Sequence, residues 1–340
     1  MKSNTTTTKT SDPGSRQAIP VEAIRDVVER SRRVMVASHV DPDGDALGTM
    51  LACTAYLRSL GKEVLAVRDS DIPAKYRFLP GAESVCRYED LPDDTEVDLA
   101  IILECPHLDR VGRPQSLLTD SVTTVNVDHH RDNAHFGQIN WIDTGASSVG
   151  EMLYEYLVRV DYDITSEDAT CLYTAILTDT GRFRFSSTTP RTMQVAGELI
   201  ERGADPQLIC DKVYYSLTKP SLILMGKVLE SIEFHCDGRI CLLSMTQSML
   251  SASGAAMADS EGLVDFTLYG ENVIAGAFFK EVGPAETRIS LRSRDRINVS
   301  RIAGSFGGGG HYNAAGCSIE KPLDQTRQLI AQLLCKAIDG

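Results

Sequence analysis

Four short segments of this chain carry histidines and carboxylates at spacings that suit divalent metal ions. They are His39, Asp43 and Asp45 within Ser38–Asp45, then Glu104, then Asp128, His129 and His130, and finally Asp179 within Thr178–Gly181. Imidazole and carboxylate are ligands for ions of intermediate hardness. Converging on one crevice, these groups would supply donors for two ions. Paired ions a few Å apart serve displacement at phosphorus, so the chemistry indicated is metal-dependent hydrolysis of a phosphoester.

The first set lies on a loop containing Pro42 and Gly44, and the spacing i, i+4, i+6 lets three side chains curl around one point. Asp45 also falls at the start of a helical stretch, where a carboxylate acts as a cap. Asp41 fits no ligand spacing and reads as a solvated loop carboxylate. The Asp-His-His run cannot turn all three side chains into a core. Asp179 and Glu104 gain meaning only from the other sets, and His107, His135 and His235 stand alone.

Each set follows an apolar run: Val34–Ala37, Leu99–Leu103, Val125–Val127 and the end of Ser166–Leu177. Strands are expected at Val34–Ala37, Glu63–Val67, Leu99–Leu103 and Thr123–Val127. Helices are expected at Val21–Arg33, Asp45–Leu60, Ser147–Val158 and Ser166–Leu177. The alternation predicts an α/β fold, a mostly parallel sheet with helices on both faces. Ligands of such sheets bind beyond the carboxyl ends of the strands, where three of the four sets lie. A helix at Arg191–Arg202 closes this block. Two hairpins follow, turning at Cys236–Gly238 and at Gly283-Pro284, with helices at Asn298–Ser305 and Leu323–Ile338, which indicates a smaller α/β domain. The expected divisions are a tail over 1–20, a first domain over 21–203, a helical link over 204–230 and a second domain over 231–340.

Four glycines, Gly307–Gly310, precede His311. Such a run exposes backbone N–H groups to a phosphate. Arg294, Arg296 and Arg301 read equally well as solvated charges, and Tyr312 as a stacking or a packing residue. In Arg182-Phe183-Arg184-Phe185 the alternation admits two readings, an arginine reaching toward substrate or surface arginines beside core phenylalanines.

A formal charge of −13 argues against coating long nucleic acid, because phosphate neutralisation dominates that affinity. No apolar run approaches a membrane span. The Thr-rich start lacks the apolar stretch of a signal peptide and reads as disordered. The nine cysteines are scattered, with no Cys-x-x-Cys pair. That usage predicts reduced thiols in a cytoplasmic protein rather than disulfides or a zinc ribbon.

The order His-x3-Asp-x-Asp, an acid at a strand end, Asp-His-His and Asp in Thr-Asp-Thr-Gly resembles the DHH phosphoesterase superfamily. The run Phe306–Gly316 and the upstream Ser290–Ser293 resemble its DHHA1 domain. Together they look like the two-domain bacterial enzymes of the oligoribonuclease and pAp phosphatase type. The resemblance implies a cleft between the domains and two divalent ions, Mn2+ being usual. One ion would sit on His39, Asp43 and Glu104, the other on Asp45, Glu104 as bridge, His129 and Asp179. Asp128 would orient an imidazole, His130 would face the scissile phosphate, and a metal-bridging hydroxide would attack in line. Arg292, Ser293, Gly308, Gly309, Gly310 and His311 would hold the substrate's phosphate. The implied substrates are short RNA, pApA and pAp, with neither long duplex DNA nor a membrane as partner, and a homodimer is compatible. One departure stands out: the family commonly has Asp where this chain has Glu104, whose longer arm must fold back. The alternatives are a RecJ-like exonuclease, a cyclic-dinucleotide phosphodiesterase, a family II pyrophosphatase and a non-catalytic nucleotide sensor. The Gly307–Gly310 run counts against the pyrophosphatase, and the near-complete ligand set against the sensor.

Overall fold

The computed structural model describes residues 19–294 and 297–339, so most of the tail expected over 1–20, together with Arg296, lies outside the described residues. The chain divides into two compact units between Ser216 and Leu217. The stretch expected as a link supplies one helix to each.

In the first unit, helix α1 (Val21–Arg30) buries Ile24, Val27 and Val28. Strand β1 (Arg33–Ala37) leads to helix α2 (Gly44–Ser59), whose N-cap Asp43 accepts a hydrogen bond from the Ala46 amide. Strands β2 (Glu63–Arg68), β3 (Cys86–Arg87), β4 (Leu99–Leu103), β5 (Thr123–Asp128) and β6 (Ile139–Ile142) follow. The six strands are parallel, in the order β3-β2-β1-β4-β5-β6. Helices α3 (Val149–Arg159), α4 (Ser166–Asp179), α5 (Pro190–Glu201) and α6 (Pro206–Tyr214) complete the unit. Each starts where its sequence supplies a cap: Ser148, Thr165 with Asp168, Thr189 with Thr192, and Asp205. Such caps satisfy amides that the helix itself leaves unpaired.

The strand period of two sorts the core. Val34, Val36, Leu99, Ile101, Val125 and Val127 pack with α1 to α4, whereas Met35, Ala37, Ala100 and Ile102 face the other way. That second face differs from the expectation. It is covered by short 3-10 turns and loops carrying Tyr88, Leu108, Val111, Leu117 and Phe136 rather than by α-helices. On the helical face, small residues let α2, α3 and α4 close up. A Cβ added at Gly48 would lie 2.3 Å from the Cys171 carbonyl oxygen, one at Gly44 2.4 Å from Thr178 Oγ1, and one at Gly150 2.6 Å from Ala175 Cβ.

The second unit begins with helix α7 (Lys219–Leu229), strands β7 (Glu233–His235) and β8 (Ile240–Met245), and helix α8 (Gln247–Ser253). Strands β9 (Ala275–Gly283) and β10 (Glu286–Ser293), helix α9 (Val299–Gly304), strands β11 (Gly309–His311) and β12 (Ala314–Ile319) and helix α10 (Leu323–Asp339) complete it. The sheet order is β11-β12-β10-β9-β8-β7. Both expected hairpins are present, β7–β8 and β9–β10. Between them β8 and β9 are parallel, so α8 and two 3-10 turns form the crossover. The expectation that every cysteine stays a thiol is corrected here. Cys236, on the β7–β8 turn, and Cys335, on α10, have Cα atoms 6.1 Å apart and form a disulfide, a separation within the range such bonds require. The other seven cysteines are free.

Candidate metal centre

The strand order of the first sheet reverses at β1, with β2 on one side and β4 on the other. This is the switch point at which open α/β sheets form a crevice. His39 follows β1, Glu104 follows β4 and His129 follows β5, while Asp45 opens α2 and Asp179 closes α4. Neighbouring parallel strands in register, Val36 beside Ile101 and Leu103 beside Val127, bring their ends level. Glu104 has φ 54°, a left-handed conformation that non-glycine residues adopt at a cost. Its amide donates to the Val127 carbonyl at 3.0 Å, and its side chain is buried.

His129 sits at the centre of the site. Its Nδ1–H donates to the Ala146 carbonyl at 3.3 Å, leaving Nε2 3.4 Å from Glu104 Oε1 and 3.4 Å from Asp179 Oδ2. That tautomer aims a lone pair at the carboxylates, as a metal-ligating imidazole does. Among the described residues the donor atoms fall into two sets within reach of a common point. They are Glu104 with His129 and His130, and Asp45 with His129 and Asp179. His39 and Asp43 approach each other at 4.0 Å and join neither set. His39 Nδ1–H is turned onto the Val40 carbonyl at 2.7 Å.

Asp45 is completely buried and held from an unexpected direction. Its two oxygens accept the Val149 and Gly150 amides, at 2.7 and 2.9 Å, from the first turn of α3. The same turn is closed by Ser148, which accepts the Glu151 amide, and Ser147 donates to the Glu151 carboxylate. Asp128 takes a supporting position. It accepts the His129 amide at 2.8 Å and His130 Nδ1–H at 2.7 Å through one oxygen, and Asn133 Nδ2 at 2.6 Å through the other.

The electrostatics explain what this packing asks for. Burial pushes the Asp45 carboxyl well above the usual range, with Glu104 and Asp179 adding to it. Burial pushes Asp179 up to about 7, opposed by His129 and reinforced by Glu104 and Asp43. Burial alone would lower His129, but Glu104, Asp179 and Asp45 outweigh it and hold the imidazole well above its ordinary value. Glu104 is correspondingly held below the usual range: burial opposes this, and His129, His130 and His39 prevail. Without a cation the cluster therefore retains protons. Glu104 Oε2 and His129 Nε2 are buried and have no hydrogen-bond partner among the described residues. Buried polar atoms are normally satisfied, and a divalent cation fits both the orphaned atoms and the mixed N/O donor set.

One functional layer was missed in the sequence. Asn133 Nδ2 also donates to Asn126 Oδ1 at 2.9 Å, and Asn126 Nδ2 donates to the Ile102 and Cys105 carbonyls. The two buried asparagines brace Asp128 from beneath. The available signal was Asn126, a polar residue inside the apolar run of β5. Asn133→Ala is expected to lower turnover about 10- to 100-fold, the range for loss of a residue that orients a ligand. It should also lower stability by about 1–3 kcal/mol, because the partner acceptors stay buried. Steady-state kinetics at saturating metal and chemical denaturation check the two halves separately.

In the second unit the glycine run is divided: Gly307 lies in a turn, Gly308 follows it, and Gly309 and Gly310 open strand β11. Gly309, Gly310 and His311 pair with Gly316, Ala315 and Ala314, and β11 is the outermost strand of its sheet. A Cβ at Gly308 would lie 2.2 Å from the Gly316 carbonyl oxygen, and Gly310 has φ 135°, so both glycines are required by the fold itself. The side chain of His311 lies outside the described residues. Arg292 Nε donates to Asp265 at 3.0 Å with the guanidinium partly exposed. Ser293 is buried. Its hydroxyl donates to the Ile297 carbonyl and accepts from Asn313, so it pins the adjoining loops instead of presenting an oxygen to a ligand.

Comparison with known proteins agrees with this architecture. The N-terminal domain of the DHH family matches residues 33–176, and the DHHA1 domain matches residues 246–338. The chain is 33% identical over 303 residues to the bifunctional oligoribonuclease and PAP phosphatase NrnA of Thermus thermophilus, covering 88% of each chain. It is 27% identical to the protein of the same name from Bacillus subtilis, covering 89% of this chain and 95% of that one. Among solved structures, an exopolyphosphatase-related protein from Bacteroides fragilis superposes with a TM-score of 0.88 at 29% identity, covering 93% of this chain and 95% of that one. No helix among the described residues is long and apolar enough to cross a membrane.

Proposed function

Because this chain belongs to the DHH family and carries its DHHA1 domain, it is a hydrolase, and we propose that it cleaves short oligoribonucleotides to mononucleotides and pAp to AMP and phosphate. The observation that carries the reading is the buried, under-satisfied cluster around His129, supported by the two relatives named for both activities. Two divalent cations, with Mn2+ suited to the donors, would be held by Asp45, Glu104, His129 and Asp179 and by His39, Asp43 and Glu104, and would supply an activated water and charge neutralisation at phosphorus.

The chain's own groups do the rest. Asp45 is fixed by the α3 amides, so it does not move when charge builds in front of it. Asp128 holds His130 through Nδ1–H, and His130 presents a proton on Nε2 to the leaving oxygen. In the second unit, phosphate capture is assigned to Arg292, oriented by Asp265, to an outward amide of the Gly309–Gly310 edge strand, and to His311.

The test is product analysis by chromatography with Mn2+, offering RNA dimers, a short and a long oligomer, pAp and pyrophosphate. Hydrolysis of the dimers and pAp, with the long oligomer cut slowly, is the expected result. Cleavage of pyrophosphate alone, or preference for the long oligomer, overturns the proposal.

A further inference from the structure

We propose that Arg184 and Phe185 form the platform on which a nucleotide's base stacks beside the metal centre. The inference rests on the nucleotide reading above and adds a base-binding subsite to it.

The segment after Asp179 is built unusually. Gly181, Arg182 and Phe183 have φ of 56°, 64° and 60°, three left-handed residues in succession, two of them not glycine. Such strain persists only where the surroundings impose it, and it gathers at functional sites. Here the imposing bonds are visible. Arg182 N–H donates to the Leu177 carbonyl, Phe183 N–H to Thr180 Oγ1, and both Arg184 and Phe185 N–H to the Thr180 carbonyl, at 2.8 to 3.0 Å. The chain thereby doubles back onto the residue next to Asp179.

The two Arg-Phe pairs then part company. Arg182 lies 4.8 Å over the Tyr214 ring, and Phe183 packs edge-on against Tyr173 at 6.1 Å, so the first pair serves the fold. The second pair does not. Phe185 remains 43% exposed, its ring resting on the Gly181 backbone, where a Cβ would fall 2.5 Å from it. The Arg184 guanidinium sits 5.2 Å from the centre of that ring, and no carboxylate among the described residues pairs with it. An exposed ring backed by an uncommitted guanidinium, on the segment tied to the residue that follows Asp179, matches a flat aromatic base with an anionic phosphate attached. Stacking of this kind tolerates any base.

The test compares wild type, Phe185→Ala, Phe185→Tyr and Arg184→Ala. It reads KM and kcat for pAp and for the abasic ribose 3′,5′-bisphosphate, and AMP binding by calorimetry. Phe185→Ala should weaken AMP binding about tenfold or more and cut the preference for pAp over the abasic compound by the same factor, mainly through KM. Phe185→Tyr should restore both, and Arg184→Ala should weaken AMP binding. Equal losses on both substrates, or an unchanged preference in Phe185→Ala, overturn the inference while leaving the proposed function intact. If wild type neither binds AMP nor hydrolyses pAp, the two fall together.

Discussion

His129→Ala is expected to reduce phosphoester hydrolysis at least about 10³-fold, equivalent to about 4 kcal/mol of lost transition-state stabilisation. His129 belongs to both donor sets, and its Nε2 faces Glu104 and Asp179 at 3.4 Å each. Removing it leaves three buried or partly buried acids, Asp45, Glu104 and Asp179, without the imidazole that offsets them. The variant should therefore bind divalent ions poorly as well as turn over slowly. Thermal unfolding with and without Mn2+ separates these effects. Wild type should be stabilised by the ion, since a ligand that binds only the folded state raises its stability, and the variant should lose most of that gain. Retention of wild-type activity, or of the full Mn2+ stabilisation, would remove His129 from the metal centre.

A second large effect is expected from adding one methyl group to α2 one turn after Asp45, at a residue that offers no donor atom of its own. Gly48→Ala places a Cβ 2.3 Å from a backbone oxygen of α4 and 3.1 Å from Ala175 Cβ. A backbone carbonyl cannot rotate aside, so α2 must move away from α4. Overpacking of this kind costs about 1–3 kcal/mol, or several degrees of melting temperature for a unit of this size. Asp45 begins α2 and Asp179 ends α4, so the same displacement should weaken metal binding. Gly197 on α5 supplies the contrast. Nothing lies within 4 Å of a Cβ built there, and Gly197→Ala should stabilise the protein by up to about 1 kcal/mol. Calorimetric melting of both variants decides the matter: equal melting temperatures would show that the α2–α4 contact is not as tight as described.

The parts of this molecule that were legible in its sequence are those governed by local rules. Short apolar runs and capping side chains mark β1, β4, β5 and the helices between them, and parallel strands put the residues that follow them at one edge. The position of the site follows from that alone. Its support does not. The bonds from Val149 and Gly150 to Asp45, and from Asn133 to Asp128, join segments that no periodicity relates. The packing demand on Gly308 stayed hidden because composition cannot distinguish a glycine that admits a phosphate from one that admits the neighbouring strand. The commitment of Ser293 was hidden for a similar reason, since no local pattern relates it to its partners Ile297 and Asn313. The Cys236–Cys335 bond was missed because 99 residues separate its ends.

The long reach of the Asp45 anchor bears on how the protein comes into being. The bond from Val149 to Asp45 closes a separation of 104 residues, and Asp179 lies further along the chain still. Contacts this distant form slowly, because the entropy of closing the loop is lost before the contact gives anything back. During synthesis the Asp45 side chain therefore waits for most of the first unit to emerge. In refolding, recovery of metal binding should lag behind recovery of helix content, and a chain cut short before α4 should lose the ion that Asp45, His129 and Asp179 would share.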